Sequence, residues 1–230
     1  MKIAIDGPAA SGKSSLGELL AKKLCYLFFD TGVMYRAVTL AVLQRGVNIY
    51  DETLVTQLAD SIQIEITSDS LPPDGRQCTV LLDNIDVTWQ IRESVIDANV
   101  STISKYPGVR EAMVLQQRRI ASKDNVVMVG RDIGTVVLPD ADIKVYLIAT
   151  VEERARRRHT EAEKRGQRSD YQSVLAELKQ RDLIDTTRLA SPLKPANDAI
   201  MIDSTERSVL DITSQVVALV EKSLFVTGKP

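Results

Sequence analysis

The sequence predicts an α/β fold, a parallel sheet flanked by helices, and three observations carry that prediction. Short apolar runs alternate along the chain with stretches of helical period, the order expected of βαβ units. Two of those runs, 125–129 and 143–148, are almost wholly apolar, as strands covered on both faces must be. A glycine-bearing loop, 7–14, joins the first apolar run to the first amphipathic helix. The length of 230 residues suits one large domain with small insertions.

The elements follow in order. Ile3, Ala4 and Ile5 form a first strand, and 13–24 a helix whose Leu16, Leu19, Leu20 and Leu24 share one face. Residues 27–29 form a second strand that ends at Asp30. A helix covers 33–45 and stops at Gly46; Asp51 caps another that runs through Ala59. Residues 62–88 break the alternation. Ile62, Ile64 and Ile66 alternate, Pro72-Pro73-Asp74-Gly75 turns, 78–82 is β-rich, Asp83-Asn84 turns again, and 85–88 closes the run. With no helix between them, these pieces predict a small antiparallel meander outside the main sheet. Pro107 suits the first position of a helix reaching Ser122. After the strands at 125–129 and 143–148, arginine-rich helices occupy 151–184 and a last strand 199–202. Val209, Ile212, Val216 and Leu219 define a C-terminal helix, with Ser204 or Thr205 as its cap.

Composition removes several function classes. With 29 basic against 31 acidic side chains and a net charge of −2, bulk charge does not hold this chain to nucleic acid. His159 is the sole histidine, which excludes metal sites needing two. Cys25 and Cys78 are too few and too far apart for a disulfide scaffold or a zinc site, and are expected as reduced thiols. No stretch has the length of a signal peptide's apolar core or of a membrane span. A cytoplasmic protein is expected. Its near-neutrality hides a local feature: of 17 arginines, eight (Arg154, Arg156, Arg157, Arg158, Arg165, Arg168, Arg181, Arg188) lie within 154–188. Arginine offers phosphate a planar, bidentate fork, so small anionic ligands are expected.

Gly7-Pro8-Ala9-Ala10-Ser11-Gly12-Lys13-Ser14 fits G-x-x-x-x-G-K-[ST], between a strand and a helix as the phosphate-cradling P-loop requires. Gly7 and Gly12 let the backbone curl so that N–H groups face a phosphate chain. Lys13 reaches the β- and γ-phosphates, Ser14 offers an oxygen to Mg²⁺, and the helix N-terminus adds positive potential. The motif says nucleoside triphosphate without saying what is done with it. No N-K-x-D guanine motif is present. Asp30-Thr31-Gly32-Val33-Met34-Tyr35-Arg36 and Gly130-Arg131-Asp132 each follow a strand, at the carboxyl end where open α/β sheets bind ligands. Arg131 and Asp132 are therefore expected in the same crevice as the P-loop.

Taken with Gly-Arg-Asp-Ile-Gly-Thr-Val-Val-x-Pro-Asp-Ala at 130–141, Arg-Asp-x-x-Asp-x-x-Arg at 181–188 and Asp-Ser-Thr at 203–205, these motifs run in one order over almost the whole chain. In that order the sequence resembles the bacterial cytidylate (CMP) kinases, a family of P-loop nucleoside monophosphate kinases. The resemblance implies a five-stranded parallel core (1–30, 107–150 and 189–230). It also implies a monophosphate-binding region (31–106) carrying the β insert near 62–88, and a short helical lid with the arginine-rich helices (151–188). It further implies a monomeric enzyme, without nucleic-acid or membrane partners, that transfers phosphate from ATP, with Mg²⁺, to CMP or dCMP. ATP falls to residues 7–14 with Ser15 and Arg157, and Mg²⁺ to Ser14. The acceptor base falls to Asp132 with Ser101 and Arg110 beside it, the ribose to Arg181 and Asp185, and the acceptor phosphate to Arg36, Arg131 and Arg188, with Thr31 nearby. Lys13, Arg131 and Arg188 carry the catalysis. Helical spacing independently places Arg181, Asp185 and Arg188 on one face. An acceptor phosphate is already largely dianionic at neutral pH, with a second pKa near ~6, so no general base is required. Two positions depart from the family pattern: Cys25, where glycine is common, and the Asp83-Asn84 turn. Trp89, Phe28 and Phe29 are expected as packing and His159 as a solvated side chain.

Overall fold

The computed structural model describes residues 1–67, 72–76, 78–123, 125–164, 166 and 168–227. Strands β1 (Lys2–Asp6), β2 (Leu27–Asp30), β6 (Val126–Gly130), β7 (Ile143–Ile148) and β8 (Ile200–Asp203) form one sheet in the order β2-β6-β1-β7-β8, parallel throughout. Successive residues of a strand face opposite sides. On β6, Val126 and Met128 therefore join the larger core while Val127 and Val129 join the smaller one, and every β6 residue is buried. That double burial explains the unbroken apolar runs in the sequence.

Helices α1 (Lys13–Leu24) and α8 (Val209–Thr227) cover one face, with Leu16, Leu20, Ile212, Val216 and Val220 in its core. On the other side α2 (Gly32–Gln44) packs on α4 (Ser94–Ile103), and α3 (Glu52–Ser61) on α5 (Pro107–Ala121). Asp51 caps α3, its side chain accepting from Leu54 N at 3.0 Å, and Pro107 opens α5 as expected. The α8 cap differs from the expectation. Ser208 Oγ accepts from Asp211 N at 3.2 Å, because Ser204 is buried and donates its hydroxyl to the Ser11 and Ile148 carbonyls. The antiparallel sheet β3 (Ile64–Thr67), β4 (Thr79–Leu82), β5 (Ile85–Asp86) forms the insert. Its Asp83-Asn84 link takes φ of 48° and 66°, the two left-handed residues a tight hairpin needs, and Asp83 also accepts from Gln63 N and pairs with Arg45. Trp89 is not core: it is 45% exposed, donates to Asp74 Oδ2 at 3.0 Å and stacks under Arg92.

The second departure, Cys25, ends α1 in a left-handed conformation, φ 56° and ψ 42°, the place where helices favour glycine. A side chain in that conformation costs about 1–2 kcal/mol. Cys25→Gly is accordingly expected to stabilise the protein by about 1 kcal/mol, after the greater freedom of glycine in the unfolded chain is deducted. Urea unfolding checks this; a lower midpoint for the variant refutes it. Finally, α6 (Val151–Lys164) and α7 (Tyr171–Thr187) pack against each other beside the sheet's carboxyl end.

Candidate active site

The loop after β1 has the geometry its sequence promised. A Cβ at position 7 would lie 2.1 Å from the Leu147 carbonyl oxygen, so only glycine lets the chain leave the sheet there. Ala10 and Gly12 take φ of 59° and 94°, the positive angles that fold a loop into a cradle of N–H groups. Lys13 is buried; its Nζ donates to the Pro8 carbonyl at 2.5 Å and faces Ser11 Oγ at 3.5 Å. Burial, and next the nearby Arg131 guanidinium, pushes the Lys13 ammonium down to about 7. Ser14 Oγ donates to Asp30 Oδ2 at 2.6 Å, while Asp30 Oδ1 accepts from Gly32 N. A hydroxyl beside a carboxylate is a hard-oxygen pair that fits Mg²⁺. Among the described residues no group of three His, Cys, Asp or Glu could hold a metal.

Beyond Lys13 lies one cleft, lined by Thr31, Arg36, Ser101, Arg110, Arg131, Asp132, Arg181, Asp185 and Arg188, so every position expected at the acceptor comes together. They arrive from separate elements: the start of α2, α4, α5, the turn after β6, and α7 with its end. Asp132, 4% exposed, accepts from Arg110 Nη2 at 2.5 Å, and the Arg110 guanidinium lies over the Tyr35 ring. Arg131 pairs with Asp185, which Arg188 also approaches at 3.5 Å. Arg36 pairs with Asp97 and donates to the Ile91 carbonyl, and Thr31 Oγ1 donates to the Val129 carbonyl. Among the described residues Arg181 has no ion pair, and Arg110 Nε and Arg188 Nη2 are buried donors without a partner. Repulsion from Arg131, and then burial, pushes Arg181 down to about 9. Burial alone would raise the Asp185 carboxyl, yet Arg131, Arg181 and Arg188 together hold it below the usual range. The cleft is a surplus of positive charge around two buried carboxylates.

A second cleft opens on the other side of the P-loop. Ser11, Gly12, Ser15, Leu16, Leu147, Arg157, Ser204, Thr205 and Ile212 are among its lining residues. Arg157 donates to Ser204 Oγ at 3.2 Å and the Thr205 carbonyl at 3.2 Å, and pairs with Glu153.

The sequence model of the cytidylate kinases matches residues 3–222. The chain belongs to the cytidylate kinase family. Cytidylate kinases of Bacillus velezensis (43% identity over 222 residues, 96% of this chain and 97% of that protein) and Bacillus pumilus (46% over 217, 94% of each) are similar to it. So is that of Desulforamulus reducens, 44% identical over 220 residues and 96% of each chain. A crystal structure of an uncharacterized protein from Eubacterium ventriosum, 14% identical, shares the fold with a TM-score of 0.51 over 96% of this chain and 98% of that one. As a member of the cytidylate kinase family the chain is a nucleotide-binding CMP kinase, a transferase whose phosphoryl donor is ATP.

Against that family background the arginine bank divides. Arg154 is buried, paired with Asp182 and donating to the Ala9 carbonyl at 3.1 Å, so it roots α6 on the P-loop and on α7. Arg156 pairs with Glu153 on the surface, the ordinary solvated arrangement. Arg158 lines a cavity with Arg181, Asp97 and Glu177. Arg165 lies outside the described residues. His159 is half-buried rather than solvated, with Nδ1 3.0 Å from Ser169 Oγ and its ring edge-on to Tyr171. Phe28 and Phe29 are core, as expected. Sequence reasoning gave Asp6 no role, and named Asp30 and Ser204 only within motifs or at element ends, without the contacts they make here. Asp30 had a readable signal, since it directly ends a strand whose carboxyl end faces the P-loop. Asp6 and Ser204 are recognisable only through contacts made far along the chain.

Proposed function

We propose that this protein transfers the γ-phosphoryl group of ATP to CMP or dCMP, giving ADP and CDP or dCDP. The observation that carries the proposal is the acceptor cleft: Asp132 buried among arginines, with the unpartnered donors Arg110 Nε and Arg188 Nη2 at its wall. A carboxylate accepts from the cytosine N4 amine and repels the uracil carbonyl that replaces it. Ser101 and Arg110 flank the base. Arg181 and Asp185 hold the ribose. Arg36, Arg131 and Arg188, with Thr31, take the acceptor phosphate.

An acceptor oxygen attacks the γ-phosphorus in line as its bond to the ADP oxygen breaks. The acceptor phosphate is already ionised, so no side chain need remove a proton. The barrier is the approach of two anions, and Lys13, Arg131 and Arg188 spread the charge of a loose transition state. Residues 7–15 cradle the ATP phosphates, and Arg157 borders the cleft that takes the rest of ATP. Mg²⁺ held at Ser14, with Asp30 behind it, would neutralise the β- and γ-oxygens. The arginine-rich helices of 151–188 act as a lid that excludes water from the phosphoryl group. In this proposal 1–30, 107–150 and 189–230 bind ATP, 31–106 binds the acceptor, and the enzyme works as a cytoplasmic monomer.

An acceptor panel tests it. ADP release is measured with CMP, dCMP, UMP, AMP and shikimate. A site that hydrogen-bonds N4 is expected to favour CMP and dCMP over UMP by at least about 100-fold in kcat/KM. UMP turned over as well as CMP would sink the role given to Asp132.

A further inference from the structure

We infer that Asp6 is a positioning residue: it ties the root of the ATP loop to the turn that carries Arg131 and Asp132, and so sets how the acceptor is read. Asp6 is the last residue of β1, directly before Gly7, with Gly130 beside it on β6 and Tyr146 beside it on β7. Its side chain is 4% exposed and both carboxylate oxygens are engaged, Oδ1 accepting from Ile133 N at 2.8 Å and Oδ2 from Gly134 N at 2.7 Å. Those N–H groups open a π-helical turn, Ile133–Val137, which immediately follows Asp132. The first N–H groups of any helical turn lack a partner within it. Asp6 supplies that partner from a neighbouring strand, while Val136 N and Val137 N return to the Asp132 carbonyl at 2.8 and 3.1 Å. One carboxylate therefore fixes the backbone on which the two acceptor-facing side chains stand.

Ionised Asp6 contributes less to stability at neutral pH than protonated Asp6 does at low pH. Burial pushes its carboxyl up to about 6, against the opposing pull of the two N–H groups; Asp132 from the turn raises it further, Lys13 from α1 lowers it, and Tyr146 faces it from β7. A carboxyl raised in the folded state stabilises while protonated, and that contribution is lost as pH rises from its ordinary value through about 6. The ionised form is thus held at a cost to the fold, and its return is the geometry of the turn.

The inference rests on the proposed contact of Asp132 with the acceptor base, which the panel on the unaltered protein tests by itself. Asp6→Asn keeps the size but presents an NH₂ to one of the two N–H donors. The expected result is a KM for CMP at least about tenfold higher and a CMP-over-UMP preference at least about tenfold narrower, with the KM for ATP within about threefold of the parent. Unchanged CMP parameters, or equal losses for ATP and CMP, overturn it. A second measurement needs no variant: cytidine, which has no phosphate to titrate, is expected to bind the parent about threefold more weakly at about pH 5.5 than at about pH 7.5, as Asp6 takes up its proton. A group titrating at about 6 can give at most about fourfold over that range. Constant affinity across that range overturns the inference as well.

Discussion

Lys13→Ala is expected to lower kcat by about 10³-fold or more while the far-UV circular dichroism stays that of the parent. The size follows from where the charge sits. Lys13 is buried in the P-loop, with Arg131 of the acceptor cleft among the charges that act on it, and in the proposed reaction its ammonium meets the negative charge that develops on the transferred group. In a site closed to water such a charge is worth far more than on the surface. The fold has little to lose from its removal. A lysine whose pKa falls on folding destabilises the native state below its ordinary pKa of 10.5, and increasingly as pH falls toward about 7. A mutant that turns over at a near-parent rate would remove Lys13 from the mechanism, and with it the P-loop assignment.

Asp132→Asn is the second large effect. The amide has nearly the shape of the carboxylate, but it places a donor where Arg110 Nη2 and the cytosine amine both donate. We expect kcat/KM for CMP to fall by about 10²–10³-fold and the CMP-over-UMP preference to shrink to within about tenfold, since the discrimination came from a buried acceptor. The KM for ATP should move by no more than about threefold, because the second cleft contains neither Asp132 nor Arg110. Asp132→Ala does more: it leaves the Arg110 guanidinium buried without its carboxylate, a change that costs about 3–5 kcal/mol, and its urea midpoint should fall accordingly. Equal losses for CMP and ATP in the asparagine variant would refute a base-reading role.

The site was legible where its residues adjoin a recognisable element. Arg131 and Asp132 directly follow an unbroken apolar strand, and Thr31 directly follows another with Arg36 one turn into the next helix, so their arrival at the sheet's carboxyl end required no tertiary knowledge. Helix α4, which carries Ser101, was not identified from residue pattern. Ile96, Val100 and Ile103 do fall on one face, but the segment is rich in β-branched residues and owes its helix to packing on α2. The turn at 133–137 was equally opaque. Ile-Gly-Thr-Val-Val has the composition of a strand, and the acceptor of its first N–H group, Asp6, lies 127 residues earlier. Ser204 was expected to cap α8 because serine before a helix commonly does. It is drawn into the core by carbonyls from the P-loop and from β7.

What the sequence determined by itself was set by neighbours along the chain. The order of strands and helices, the cradle of the P-loop and the hairpin turn at Asp83-Asn84 depend on local backbone preference and on the period of apolar residues. The tertiary structure alone decided the partner of each charge. Arg154 and Arg157 stand three residues apart on one helix, yet one anchors α6 against Asp182 while the other borders the cleft beside the P-loop through Ser204. A guanidinium reaches across several ångströms to whatever carboxylate or carbonyl the fold brings near, and no local rule fixes that choice.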